Sequence, residues 1–208
     1  MPTGILVSEE DYLRTSYDPD CEFEDGVLTE RTGGTWDHAK LLAALAAYFF
    51  RRRRGWNLHV AIAVRVRART GKYLIPDLCV VEGPEPTGRF LQTPPLLWIE
   101  ILNPEDRPLR VNRRTRTVLE YGAPYVWVID PETLESDLYT AEKHTPLEDG
   151  VLRIPGTEIV VPLAEIFEDR APLYGKIGST PDLPRGLMRK CPTHVLRPST
   201  LPHRLLAA

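Results

Sequence analysis

"GKYLIPDLCVVEG", residues 71–83, puts an aspartate behind a proline at the mouth of a run of apolar β-formers. Pro76 cannot donate to a β-ladder, so it belongs at a strand start or edge. Asp77 then stands where "LCVV" enters a sheet. A second stretch, "PPLLWIEILNPED", residues 94–106, sets Glu100 inside a run that otherwise reads as buried strand. Side chains alternate along a strand, so Trp98, Glu100 and Leu102 share one face, and Leu97, Ile99 and Ile101 the other. A carboxylate placed there loses its water, and an unpaired buried charge is costly. It must find a cation, take up a proton or open onto a cleft.

If the two strands are neighbours, Asp77 and Glu100 converge on one divalent ion. Mg²⁺ (or Mn²⁺) takes oxygen ligands and keeps several waters, and the main-chain carbonyl of Ile101 supplies a third protein oxygen. Such an ion orients and acidifies a water beside a phosphodiester. The competing reading is plainer. Asp77 serves as a turn or capping residue, and Glu100 pairs with one of the chain's many arginines.

Outward from these strands the chain reads as a mixed sheet flanked by helices, α/β or α+β in type. "SEEDYLRTS" opens as a short helix with Ser8 as N-cap. "CEFEDGVLTER" gives two short strands around Asp25-Gly26, a strong hairpin signal. "TWDHAKLLAALAAYFFRRRRG" is a helix capped by Thr35 or Asp37 and stopped by Gly55. "NLHVAIAVRVRA" reads as one half-exposed strand. After Glu100, "EDRPLRVNRRTRTVLEYG" forms a helix ending at Gly122, and one of its faces presents Arg107, Arg110 and Arg114. Arg113 and Arg116 point to solvent. "PYVWVIDPET" is a further strand, "LESDLYTA", "GVLRIP" and "EIVVP" are shorter antiparallel ones, and "LAEIFED" is a last short helix.

The 208 residues suit one domain, residues 1–170, followed by a Pro-rich tail, 171–208, with six basic residues against one acidic. The tail is expected to be extended and poorly ordered. A net charge of −3 gives no global field for nucleic acid, so a polyanion must be held by local charge or by bound metal. The N-terminus lacks a basic n-region and an apolar h-region, and no run reaches the length of a membrane span. The cytoplasm is the expected compartment, with no membrane partner. Cys21, Cys79 and Cys191 form no C-x-x-C pair and no zinc spacing, and reduced thiols are expected.

These residues resemble the PD-(D/E)XK nuclease superfamily: "IPDLCVV" is similar to its first half and "WIEIL" to its (D/E)-x-x core. More closely, the chain resembles the Uma-type restriction endonuclease family, long catalogued as a domain of unknown function. The resemblance runs from about Ser8 to Phe167 through "DCEFEDGVLTER", His38, "YLIPDLCVVEGPEP", "PPLLWIEILNPEDR" and "GAPYVWVIDPET". It implies a restriction-endonuclease-like fold, a Mg²⁺-dependent nuclease site and DNA as partner. Asp77 and Glu100 match the metal-binding acids, and Glu22 and His38 match polar positions near the site, read here as its rim. The superfamily lysine is expected two positions after Glu100, where this chain has Leu102. The resembling family carries a lysine in the next helix instead, and counting back from Gly122 puts that position at Arg114. Asn103 stands where serine is usual.

Arginine essentially cannot lose its proton, so Arg114 can clamp a phosphate and stabilise charge but cannot act as general base. Three readings stay open at this point. The chain is a metal-dependent phosphodiesterase, a catalytically degenerate nucleic-acid-binding module, or a protein whose two acids merely pair with arginines. A two-fold homodimer would suit double-strand cleavage.

Overall fold

The structure, a computed structural model, describes residues 6–31 and 33–167. The expected basic tail and Cys191 lie outside the described residues, while Cys21 and Cys79 are free and buried. Helix α1 (Glu9–Arg14) begins at Ser8, whose Oγ accepts from the N–H of Asp11. Strands β1 (Cys21–Glu24) and β2 (Val27–Glu30) form the expected hairpin. Its turn needs two successive left-handed residues, and Asp25 (φ 48°) and Gly26 (φ 92°) supply them. Helix α2 (Trp36–Arg52) is capped by Thr35, whose hydroxyl accepts from the N–H of His38.

Strands β3 (Leu58–Ile62), β4 (Val66–Arg69), β5 (Lys72–Leu74), β6 (Leu78–Glu82) and β7 (Leu97–Ile101) follow. Helix α3 (Pro108–Tyr121) starts with proline and ends at Gly122, whose φ of 112° is costly for a residue with a Cβ. Then come β8 (Tyr125–Ile129), β9 (Ser136–Tyr139), β10 (His144–Pro146), β11 (Val151–Arg153), β12 (Val160–Pro162) and α4 (Leu163–Phe167).

One sheet has the order β10-β9-β8-β7-β6-β3, another the order β2-β1-β5-β4, and β11 pairs with β12 alone. All the pairs within these sheets are antiparallel except β7 with β8. A parallel pair needs a long crossover, and α3 provides it. The single strand expected over "NLHVAIAVRVRA" is a correction. The chain turns at Ala63 (φ 50°), so β3 joins the larger sheet and β4 the smaller. The helix stop also differs. Helix α2 ends at Arg52, and Asn57 (φ 52°) makes the left-handed turn into β3.

The alternation expected of residues 97–102 decides the layering. Leu97, Ile99 and Ile101 pack with Leu41, Leu45 and Phe49 of α2, and with Leu78 and Val80 of β6. Trp98 packs on the opposite face with Cys79, Val81 and Val118 of α3. Helices α2 and α3 therefore cover opposite faces of the larger sheet. Burying each large apolar side chain of the α2 stripe stabilises the fold by about 1.5–3 kcal/mol. Tyr12, Phe23 and Tyr73 form a separate aromatic cluster that ties α1 to the hairpin and to β5. Among the described residues, no helix is long and apolar enough to cross a membrane.

Candidate active site

The register of β6 with β7 pairs Leu78 with Ile99 and Cys79 with Trp98. One further step brings Asp77 opposite Glu100. By parity both acids belong to the sheet face that carries Trp98, the face covered by α3. Both line one cavity of about 80 Å³, together with Glu22, Ile101, Arg110 and Arg114. Pro76 has a clear local effect: it separates β5 from β6, so Asp77 sits at the strand mouth and not within a ladder.

Asp77 is almost fully buried and every oxygen is engaged. Its Oδ2 accepts from the N–H of Ile101 at 2.8 Å and lies 3.3 Å from Nε2 of His38. Its Oδ1 meets Nη2 of Arg31 at 2.5 Å. Burial pushes the Asp77 carboxyl up. The His38 contact, the Ile101 N–H and the Arg31 guanidinium together outweigh burial and hold it below the usual carboxylate range.

Glu100 behaves in the opposite way. Burial raises its carboxyl to about 7; Arg114 pulls it down and the charge of Asp77 pushes it up. Its Oε1 accepts from the Trp98 indole N–H and from Nε of Arg114, the latter at 2.5 Å. Arg114 also donates from Nη1 to Oε1 of Glu22 at 2.6 Å and from Nη2 to the Ile75 carbonyl at 2.6 Å. Glu22 in turn accepts from the N–H of Ile75 at 2.9 Å. Burial disfavours the Arg114 charge, but Glu100 and Glu22 more than compensate and fix it in its protonated form.

The structure thus gathers Asp77, Glu100, Arg114, Glu22 and His38 around one place, with Ile101 at its wall. The expectation that Glu22 and His38 sit at the rim is corrected. His38 is 7% exposed beneath Asp77, and the Glu22 side chain is 14% exposed between Arg114 and Ile75. Both are drawn inward because each serves a buried partner. Arg110 lines the cavity, whereas Arg107 occupies the α3 N-cap position, exposed, and Arg113 and Arg116 face solvent. Leu102, at the superfamily lysine position, also lines the cavity.

Arg31 was not expected. It lies in the link between β2 and α2, without periodicity, and the sequence marks it with nothing beyond its charge. The pairing expected by the plainer reading is present at both acids, Asp77 with Arg31 and Glu100 with Arg114.

The donor chemistry nevertheless fits a divalent cation. Five carboxylates line the cavity (Glu22, Glu30, Asp77, Glu100 and Asp106) against three guanidiniums (Arg31, Arg110 and Arg114). That is an acidic, all-oxygen setting suited to Mg²⁺ or Mn²⁺. Among the described residues no group of three or more His, Cys, Asp or Glu side chains is arranged to hold a metal. A third protein donor beside Asp77 and Glu100 would therefore be the Ile101 main chain.

The model of the Uma2 family, described as "Putative restriction endonuclease", matches residues 9–164. Among solved structures, the chain is similar to a putative nuclease belonging to DUF820 from Anabaena variabilis. The two are 16% identical with a TM-score of 0.66, over 77% of this chain and 97% of that one. At that identity the likeness speaks for the fold alone, and the fold is the restriction-endonuclease-like one expected. Among curated proteins none matches.

Proposed function

We propose, from the premise that the chain belongs to the Uma2 family, that it is a Mg²⁺- or Mn²⁺-dependent endonuclease hydrolysing phosphodiester bonds of DNA. The observation that carries the reading is the meeting of Asp77 and Glu100 in one acidic cavity, close enough that the charge of one raises the carboxyl of the other. Two carboxylates are held in mutual repulsion only where something offsets the cost.

Asp77, Glu100 and the Ile101 carbonyl would hold the ion. When bound, it supplies Lewis acidity that acidifies a water and offsets charge on the phosphodiester. The chain's own residues set the stage. His38 and the Ile101 N–H fix the Asp77 carboxylate, and Trp98 with Arg114 fixes Glu100. Arg114 spends three of its five N–H donors on protein acceptors and keeps two for a phosphate oxygen. Permanently protonated, it stabilises negative charge and takes no proton. A homodimer would let two such sites address both strands of a duplex.

Incubating the purified protein with supercoiled plasmid and Mg²⁺ or Mn²⁺ tests the reading. Metal-dependent nicking by the wild type, lost in Asp77→Ala and Glu100→Ala, is the expected result. Equal nicking by all three proteins would sink it, because the activity would then be a contaminant's.

A second reading is favoured by one specific observation: each acid already has an arginine partner. In that case the two acids merely pair with arginines and hold no metal; only where those arginines also contact phosphate is the chain a catalytically degenerate binding module. It would bind DNA with strong salt dependence and leave it intact.

A further inference from the structure

Arg31 occupies the one Asp77 oxygen that the rest of the protein leaves open. Oδ2 is held from two sides, by the Ile101 N–H at 2.8 Å and by His38 Nε2 at 3.3 Å. Oδ1 has Arg31 Nη2, at 2.5 Å. Arg31 lines the same cavity as Asp77 and Glu100, so a cation shared between the two acids competes with the guanidinium for Oδ1.

The two partners are anchored very differently. The Asp77 side chain is 6% exposed, that of Arg31 26%. Arg31 sits on the link that follows β2, with its own N–H bonded to the Asp20 carbonyl. Arg31 also lines a second cavity, of about 250 Å³, bordered by Gly34, His38, Leu42 and Asp77 itself. The guanidinium, partly exposed and bordered by this cavity, has room to turn away from Asp77 Oδ1 by side-chain rotation, with its backbone in place.

We propose that Arg31 is a built-in counter-cation of this site. It neutralises Asp77 while no divalent ion is bound, and a divalent ion binds only by displacing it. The proposal rests on the metal-site reading above. It explains how the buried Asp77 carboxylate is tolerated without a divalent ion, the role that Arg114 fills for Glu22 and Glu100. It also makes a phosphate-binding arginine available only once the ion is in place, which couples the order of ion and substrate binding.

Calorimetric titration of Mn²⁺ into metal-free wild type, Arg31→Ala, Arg31→Gln and Arg31→Lys tests it. Far-UV circular dichroism checks folding, and Asp77→Ala is the control for the site. Removing the competitor is expected to tighten Mn²⁺ binding about tenfold or more in Arg31→Ala and Arg31→Gln, with Arg31→Lys between them and wild type. The metal-free thermal midpoint should fall in Arg31→Ala and recover at saturating Mn²⁺. Binding by the Ala and Gln variants that equals or falls below wild type overturns the proposal and leaves the metal site standing. Silence in all proteins overturns both. Binding by the variants with a silent wild type would mean that the ion cannot displace Arg31, which overturns the proposal and removes the metal-dependent reading for the wild type.

Discussion

Arg114 Nε lies 2.5 Å from Glu100 Oε1, and the same guanidinium reaches Glu22 Oε1 at 2.6 Å and the Ile75 carbonyl at 2.6 Å. One side chain on α3 therefore ties β7 of the larger sheet to β1 of the smaller, and to the segment between β5 and β6. The two sheets meet at the candidate active site, and their junction there is ionic. Whatever Arg114 does for chemistry, it holds the cavity's walls together.

Replacing Arg114 with alanine should accordingly destabilise the protein by about 3–5 kcal/mol at a pH well above 7, where the Glu100 carboxyl has lost its proton and is stranded with Glu22 without a counter-charge. Urea denaturation of wild type and variant measures this. Arg114→Ala combined with Glu22→Gln and Glu100→Gln should recover much of the loss, because no uncompensated charge then remains. A loss below about 1 kcal/mol would mean that the bridge is no stronger than a surface ion pair.

Glu100 predicts a fall in stability with rising pH. Its carboxyl is raised from 4.5 to about 7, first by burial, so the native state keeps a proton that the unfolded chain has already released. More protons bound in the native state means that stability declines as pH rises through that window, on the order of 3 kcal/mol between pH 4.5 and 7. Asp77 acts the other way. Held low, it contributes stability above its ordinary value that is lost as pH falls through its folded value. Urea midpoints across this pH range should fall for wild type and flatten in Glu100→Gln. Only the slope is compared, because the substitution also weakens the Arg114 pair. A variant with the wild-type slope would assign the effect to another group.

The parts of this site that a sequence reader can find are the parts governed by local periodicity. Glu100 is visible because alternation along residues 97–102 puts it opposite three buried aliphatic residues, and Asp77 because Pro76 interrupts the run before it. The 3.6-residue period of α3 puts Arg114 on one face with Arg107 and Arg110, and only the family resemblance singles it out from them. The break at Ala63 is invisible: a positive φ at alanine leaves no mark, and the reassignment of β4 follows from its long-range pairing with β5. The inward turn of Glu22 depends on Ile75 and Arg114, residues 53 and 92 positions away. Arg31 is hidden for the same reason, since it meets Asp77 across 46 residues from a link with no repeat to read.

Gly34→Ala perturbs the site without removing a polar group. A Cβ at Gly34 would stand 2.6 Å from Nδ1 and 2.9 Å from Cγ of His38, so the imidazole must move away from its seat beside Asp77. With that support shifted, Mn²⁺ affinity should drop about tenfold, in line with the effect of losing a group that orients a ligand. Calorimetry measures the affinity, and the His38 ring resonances report the displacement directly. Unchanged resonances would show that the link at 33–34 gives way instead of the ring.

Arg114→Lys separates a nuclease short of its lysine from a binding module. Lysine keeps a positive charge at the position but meets at most part of the three-way contact made by the guanidinium, so stability should fall by about 1–3 kcal/mol. Unlike arginine, it can release a proton where burial and a bound cation outweigh the neighbouring acids, which hold the proton on. If the cavity is an active centre lacking that function, metal-dependent plasmid nicking should rise by on the order of 10²-fold, the usual worth of a positioned general base. The comparison is made at matched folded fraction and in parallel with DNA binding measured at two salt concentrations. A variant that folds, binds DNA with an unchanged salt slope and gains no nicking would mean that the arginine replaced nothing catalytic. Phosphate contact would then be the whole of what this helix face offers.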